Sequence, residues 1–175
     1  MTHQTISITT PAHQSMVEIT REVNANISRG VAIFARVCFV VRSRSQLRIG
    51  RRRRLSRTNR LRFAIHGGQR KLGVDDGVVH LFVEHTTCGL FINENADPDV
   101  VGDLLRRFEK LVPWHDPADR HAEGNTAAHL RSIMTGCSLT IPVAQGRLLL
   151  GTWQGIYLAE FDGPRTRRAV ISTLK

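Results

Sequence analysis

Short apolar segments with an alternating pattern occur in pairs along this chain, and helical segments separate the pairs. Residues 78–85 alternate between two faces, and residues 90–94 continue the alternation in a partner strand. Helical spacing then predicts one helix over residues 97–113 and another over residues 125–136. Because the strands do not alternate with helices one for one, the pattern predicts an α+β domain with mainly antiparallel or mixed sheets and two to three helices.

The flanking segments fit the same architecture. A short helix is predicted over residues 20–30, with Thr20 as its cap. In the helix over residues 125–136, Leu130, Ile133 and Met134 are expected to form the buried face. The remaining strands are predicted over residues 6–8, 17–19, 138–143, 147–161 and 168–173.

The basic residues are concentrated in one segment. Residues 31–72 contain 13 of the 25 lysines and arginines and no Asp or Glu, so the rest of the chain has an ordinary, slightly acidic balance. We therefore predict a single domain over residues 1–175 that is interrupted by a basic insert at about residues 31–72. Three interpretations of the insert compete: a solvated surface loop, an arm that binds nucleic acid or phosphate, and translated sequence that is normally removed.

Composition limits the classes of protein to which the chain can belong. Its 175 residues and 41% hydrophobic content fit one globular domain. The first 15 residues lack the apolar region of a signal peptide, and the longest apolar run, residues 31–41, is too short to span a bilayer. The three cysteines have no CxxC spacing, which argues against a disulfide framework or a cysteine zinc site. We expect a cytoplasmic protein without a membrane partner.

The sequence Gly151-Thr152-Trp153-Gln154-Gly155 lies inside a predicted strand. Glycine within a strand marks a bulge or a place where a ligand or another backbone approaches closely. Strand alternation places Gln154 on one face and Trp153 on the other. The segment therefore either contacts a ligand or contains a buried, hydrogen-bonded Gln154 beside a core Trp153.

Several polar residues have side chains that suit metal binding or proton transfer. His85 ends an apolar strand, and Glu94 shares a face with apolar residues, where a carboxylate needs a cation or a donor. His121, Glu123 and His129 form the densest group of ligands for a first-row divalent ion, although their spacing matches no HExxH motif. The alternatives are a hydrogen-bonded core histidine, an exposed glutamate, and capping or surface roles.

Four polar blocks occur in a fixed order along the chain: His85-Thr86-Thr87, INENADPDV at residues 92–100, RHAEGN at residues 120–125 with Ala128-His129, and residues 138–156 with the sequence GTWQGI. Together they resemble the signature of the secondary thiamine-phosphate synthase family, the YjbQ-like proteins. The resemblance covers roughly residues 73–170, and residues 17–30 resemble the family's N-terminal strand and helix.

The resemblance implies a compact α+β domain that assembles as a homotrimer. The reaction assigned to the family joins a hydroxymethylpyrimidine diphosphate to a thiazole phosphate and releases diphosphate. For this chain it implies a small phosphorylated metabolite as ligand and a divalent metal ion, Zn or Mg, as cofactor. The implied metal ligands are His85, His121 and His129, the implied catalytic residues are Glu94, Glu123 and Gln154, and the implied substrate contacts are Asn125, Thr152 and Trp153.

Two other functions stay open from the sequence. One is a non-catalytic trimer that binds a metal or a small anionic metabolite. The other is an RNA-binding adaptor that uses the Arg-rich insert, the one part of the chain through which we expect nucleic-acid binding. The sequence contains no glycine-rich phosphate loop and no Asp-rich diphosphate motif. The sequence alone therefore does not distinguish a synthase from a non-catalytic ligand-binding protein.

Overall fold

A computed structural model of the chain describes residues 2–27 and 72–174. The described residues form two antiparallel sheets and three helices, so the predicted α+β class is confirmed. The strands are β1 (Thr2–Thr9), β2 (Ser15–Glu18), β3 (Gly77–Val83), β4 (Cys88–Glu94), β5 (Ser138–Ala144), β6 (Arg147–Leu148), β7 (Gln154–Glu160) and β8 (Thr166–Leu174), and the helices are α1 (Thr20–Ile27), α2 (Pro98–Leu111) and α3 (Thr126–Thr135).

The two sheets enclose one hydrophobic core. The first sheet has the strand order β1-β8-β3-β5-β6, and the second has the order β2-β7-β4. Alternate residues of β3, such as Val79 and Leu81, are fully buried and pack in the same cluster as Leu158 of β7 and Val23 of α1. Each such side chain contributes about 1.5–3 kcal/mol through burial, so this cluster is the main source of stability.

The predicted insert lies almost entirely outside the described residues, which resume at Leu72. The backbone of Leu72 donates to the carbonyl of Asn26 at 2.9 Å, and Val74 donates to Ile27 at 3.2 Å. The described chain therefore resumes beside the last turn of α1. The insert itself stays a prediction.

Helix α2 begins as the sequence predicts. The Asp97 side chain accepts a hydrogen bond of 2.9 Å from the backbone of Asp99, and Pro98 occupies the first turn. Aspartate at this position satisfies a free N–H group and interacts favourably with the helix dipole. Asp97 therefore caps α2.

The predicted buried face of α3 is wrong. Ile133 is 76% exposed, and Leu130 and Met134 are about half exposed, whereas Arg131 and Ser132 face the interior. The Arg131 side chain donates to the carbonyl of Val112 at the end of α2, and Ser132 donates to a backbone carbonyl of β4 at 2.8 Å. Polar side chains of α3 thus hold neighbouring backbone groups, and this inward orientation leaves the apolar side chains outside.

The long strand predicted over residues 147–161 is also wrong, because a turn divides it. The backbone of Gln154 donates to the carbonyl of Gly151 at 3.0 Å, and the Gln154 side chain accepts from the backbone of Gly151 at 2.8 Å. Gln154 is exposed and Trp153 is 66% exposed, so neither is a core residue. The glycine-rich sequence forms a closed turn, and β7 begins only at Gln154.

Candidate functional site

An open, polar pocket of about 240 Å³ lies where three loops meet. The first loop follows β3, the second precedes α3, and the third connects β7 to β8. All three are connections between regular elements, where a rigid scaffold commonly presents functional groups. The pocket is lined by Glu84, His85, Thr86, Thr87, Glu123, Asn125, His129, Asp162, Arg165 and Arg167.

A buried ion pair contributes Arg167 to the lining of the pocket. Arg167 of β8 is 5% exposed and Glu160 of β7 is fully buried. The Arg167 guanidinium binds both carboxylate oxygens, with Nε 2.7 Å from Oε2. Its Nη2 also donates to the Thr87 hydroxyl at 2.8 Å. Because the pair joins strands of different sheets and the loop after β3, it fixes the positions of all three.

The same carboxylate orders the loop between β7 and β8. The backbone of Asp162 donates to Glu160 at 2.9 Å, and the Thr10 hydroxyl donates to Glu160 at 3.0 Å. Arg165 then pairs with the Asp162 carboxylate at 2.7 Å. The Arg165 side chain is 54% exposed, so this second arginine is available at the rim of the pocket.

His85 is held by a backbone group of β8. Its Nε2 accepts a hydrogen bond of 2.8 Å from the backbone N–H of Arg168. Burial, and next the nearby Arg167 guanidinium, hold the pKa of His85 below its usual value, which favours the neutral imidazole. The neutral ring matches the geometry, because only an unprotonated Nε2 can accept from the backbone.

Asn125 is the N-cap residue of α3, and its side chain is directed towards two carboxylates. It is 5% exposed, and its side chain makes no capping hydrogen bond to the helix. Its amide nitrogen donates to Glu123 at 3.2 Å and to Asp162 at 3.1 Å. The amide oxygen has no protein partner among the described residues. Asn125 therefore brings two acidic groups together and leaves a buried acceptor beside them.

His121 and His129 lie next to one another at the edge of this group. Their ring centroids are 5.4 Å apart, and His121 Nε2 is 4.0 Å from a carboxylate oxygen of Glu123. In residues 2–27 and 72–174, no three His, Cys, Asp or Glu side chains are already spaced to hold a metal ion. The residues before and within α3 thus form a loose cluster of two imidazoles and a carboxylate.

The other predicted site residues lie at the opposite end of the smaller sheet. Glu94 pairs with Gln154, whereas Cys88, at the pocket end of the same two strands, pairs with Glu160. Glu94 lies six positions along β4 from Cys88, a distance of about 20 Å. The predicted convergence of Glu94 and Gln154 with the three histidines is therefore wrong within one chain.

Polar groups at that opposite end mostly bind one another. The Tyr157 hydroxyl donates to the Glu94 carbonyl and lies 2.9 Å from Asn95 Oδ1, and the backbone of Asn95 donates to Trp153 at 2.7 Å. Thr152 and Trp153 are exposed at the tip of the turn. They lie at the same end of the sheet as Gln154, away from the pocket that contains Asn125.

Six pocket residues were not predicted as site residues: Glu84, Thr86, Thr87, Asp162, Arg165 and Arg167. One signal was present in the sequence. Arg167 shares its strand face with Ala169 and Ile171, and Glu160 shares a face with Ile156 and Leu158. Two opposite charges on apolar faces of consecutive strands indicate a buried pair, because either charge alone would be costly to bury.

Cys88 is buried beside the ion pair. Burial raises the pKa of its thiol to about 12. The thiol is therefore protonated at neutral pH, and only a thiolate is an effective nucleophile or metal ligand. Cys88 acts as a core residue of the pocket end of β4.

Comparison with known sequences identifies the family. The family model described as UPF0047 protein YjbQ-like matches residues 54–175. The chain belongs to the YjbQ-like family. Among its YjbQ-like relatives, the UPF0047 protein YugU of Bacillus subtilis is 55% identical over 102 residues, which are 58% of this chain and 77% of the relative. The UPF0047 protein MJ1081 of Methanocaldococcus jannaschii is 48% identical over 103 residues, 58% of this chain and 72% of the relative.

Solved structures support the YjbQ-like fold. The conserved hypothetical protein TT1486 from Thermus thermophilus superposes with a TM-score of 0.69 at 37% identity, covering 98% of this chain and 99% of that protein. A YjbQ/UPF0047 family protein from Clostridium acetobutylicum gives a TM-score of 0.71 at 31% identity, with 98% and 99% coverage. Among the described helices, none has the length and apolar character that a membrane span requires.

Proposed function

We propose that the pocket binds a small phosphorylated metabolite together with a divalent metal ion, and that it supports thiamine-phosphate synthesis at a low rate. The observation that carries this proposal is the meeting of basic, imidazole and carboxylate side chains from three loops in one open pocket. Such a mixture suits a negatively charged ligand whose charge is shared between protein donors and a cation.

The charges around the pocket explain why a metal ion is part of the proposal. Arg167 is neutralised by Glu160, and Arg165 is paired with Asp162. A phosphorylated ligand would therefore meet few unpaired positive groups, while Glu123 adds negative charge. A divalent cation would offset both the carboxylates and the phosphate oxygens, as metal ions do in other phosphoryl sites.

The donor types beside the pocket fit a first-row divalent ion. His121, Glu123 and His129 provide two imidazoles and a carboxylate, which suit Zn better than Mg. His121 and Glu123 are 45% and 71% exposed and lie in a loop, so a small rearrangement can bring them to one ion. His85 is not part of this donor set, because its Nε2 already accepts a hydrogen bond.

The proposed reaction replaces one carbon–oxygen bond with a carbon–nitrogen bond. The thiazole ring nitrogen forms a bond to the methylene carbon of the pyrimidine, while the bond from that carbon to the diphosphate oxygen breaks. The electron pair leaves with diphosphate, whose developing charge needs stabilisation. The exposed Arg165 and a bound divalent ion would supply it.

We also propose that the chain assembles as a homotrimer through the outer face of α3. Leu130, Ile133 and Met134 expose three large apolar side chains on one helix, while Arg131 is turned inwards. An apolar helix face of this kind is commonly covered by a partner, and a second copy is the partner that the family resemblance implies. Ile133→Glu is expected to yield monomers in light scattering, whereas Leu111→Glu, at an equally apolar exposed position on α2, is the control.

The activity test measures thiamine phosphate formed from the two precursors by the purified chain. Glu123→Gln should abolish product and weaken zinc binding about tenfold or more, because it removes a proposed ligand. Glu94→Gln is the matched control and should retain activity, since Glu94 lies at the other end of the sheet. Loss of activity in the control would mean that Glu94 acts in a pocket of another subunit.

The same experiments distinguish a synthase from a non-catalytic binding protein. If zinc and diphosphate bind in calorimetry but no thiamine phosphate forms above background, the chain is a non-catalytic binder of metal and anionic metabolite. If neither zinc nor diphosphate binds, the pocket proposal itself fails.

A further inference from the structure

We infer that His85 and Thr87 form a pair of hydrogen-bond donors for an oxyanion of the ligand, and that His85 is not a metal ligand. The inference rests on the proposed function, because it names the part of the phosphorylated ligand that this side of the pocket binds. It assigns to His85 a role different from the one implied by the sequence.

The hydrogen bond to β8 determines what His85 can offer. A neutral imidazole has one N–H and one unprotonated nitrogen. Nε2 accepts the backbone N–H of Arg168 at 2.8 Å and is therefore the unprotonated nitrogen. Nδ1 must then bear the hydrogen. Neither nitrogen has a free lone pair, so the ring can donate but cannot ligate a metal without losing this bond.

Thr87 is restricted in the same way. The residue is 6% exposed, and its Oγ1 accepts a hydrogen bond of 2.8 Å from Arg167 Nη2. A guanidinium only donates, so the Thr87 hydroxyl hydrogen must point elsewhere. In the described part of the chain it meets no side-chain or backbone acceptor. A buried donor without a partner is unfavourable, which indicates that a ligand or a water molecule accepts from it.

Two consecutive residues of β8 therefore determine that His85 and Thr87 can only donate to a ligand. The backbone of Arg168 occupies the acceptor of His85, and the side chain of Arg167 occupies the acceptor of Thr87. Both donor residues line the same pocket, beside the exposed Arg165. Two oriented donors and a guanidinium are suited to the oxygens of a phosphate or diphosphate group. The imidazole and carboxylate cluster before and within α3 is left for the cation.

Matched substitutions separate donor from acceptor. His85→Gln places an acceptor near the Nε2 position and removes the Nδ1 donor, whereas His85→Asn keeps a donor near Nδ1. Thr87→Val removes the hydroxyl with little change in shape, whereas Thr87→Ser keeps it. Calorimetry with inorganic diphosphate in the presence of zinc should show about tenfold or greater loss of affinity for His85→Gln and Thr87→Val. His85→Asn and Thr87→Ser should stay close to the unmodified chain.

Zinc titration and imidazole NMR complete the test. Zinc affinity should be unchanged in His85→Gln, and nitrogen shifts should identify the Nδ1–H form of His85. Loss of zinc binding in His85→Gln, an Nε2–H tautomer, or unchanged diphosphate affinity in both donor-deleted variants would overturn the inference. If the unmodified chain binds no diphosphate, the proposed function fails and the donor pair has no ligand. Diphosphate binding that is insensitive to the variants rejects only the donor pair.

Discussion

The two ends of the smaller sheet have similar polar compositions but differ in how many of their hydrogen-bonding groups are satisfied. At the turn end, the Gln154 side chain accepts from Gly151, and Tyr157 binds the backbone of Glu94. At the pocket end, the Asn125 amide oxygen has no protein partner in the described chain, and the remaining hydrogens of His85 and Thr87 are free to donate. The polar groups at the turn end bind one another, whereas those at the pocket end are available to a ligand.

This difference shows why residue type alone does not locate a site. Gln154 and Asn125 have the same functional group, and both were expected to contact substrate or transition state. A local turn consumes the oxygen of Gln154, while Asn125 directs its nitrogen towards two carboxylates. Which polar group remains available depends on contacts between distant parts of the chain.

The largest expected effect on stability is that of Arg167→Met, at the pocket end. The change leaves the buried Glu160 carboxylate without its cation, which should reduce the free energy of unfolding by about 3–5 kcal/mol. Urea denaturation measures the loss. The double variant with Glu160→Met should be more stable than Arg167→Met, because no charge then remains buried without a partner. A double variant that is less stable would contradict the role of the ion pair.

A smaller effect is expected at the turn end for Gly155→Ala. A Cβ at this position would lie 2.8 Å from Cβ of Asn95, so overpacking should cost about 1–3 kcal/mol of unfolding free energy. Gly151→Ala is the matched control, because its Cβ would come no closer than 3.3 Å, to the flexible end of Gln154. Equal losses in the two variants would contradict a specific close approach at Gly155.

Gln154→Ala should have a modest effect that is confined to stability. It removes one exposed hydrogen bond in the turn, so the loss should be at most about 1 kcal/mol in thermal or urea unfolding. Diphosphate affinity should be unchanged, because the residue lies away from the pocket in the same chain. A large fall in affinity with normal stability would place Gln154 in the ligand site of a neighbouring subunit.

The smallest expected effect is a pH dependence contributed by His85. Its lowered pKa in the folded chain means that the unfolded chain takes up the proton first, near pH ~6.5. The contribution to stability is therefore present above about pH 6.5 and is lost as the pH falls through the folded-state pKa. The melting temperature of the unmodified chain should decrease more between about pH 7.5 and about pH 5.5 than that of His85→Gln. Parallel curves would contradict the lowered pKa.

The elements of the fold followed closely from the sequence where local signals dominate. The alternation in β3 and β4 and the Asp97-Pro98 start of α2 depend on neighbouring residues, and the structure contains these elements. The orientation of α3 did not follow, because Arg131 turns inwards to bind the Val112 carbonyl, a contact between two helices. Apolar periodicity predicts that one face of a helix is buried, but it does not indicate whether the same chain or another subunit buries that face.

The candidate site was predictable only in part. His85, Glu123, Asn125 and His129 were named from the sequence and line one pocket. Arg167 was missed because a charged residue on an apolar strand face indicates a buried ion pair only when its partner, here Glu160, is also identified. The tautomer of His85 depends on a backbone N–H that lies 83 positions away, which no local pattern encodes.

The buried pair of Glu160 and Arg167 limits how the chain can vary in length. Only residues 161–165 connect β7 to β8, and strand side chains alternate between faces. Removing one residue from this connection would bring Arg168 to the position of Arg167 relative to β7, or reverse the face of every β8 side chain. Surface connections commonly tolerate insertions and deletions. This one should not, so its length is expected to be as constrained as the identity of the two charged residues.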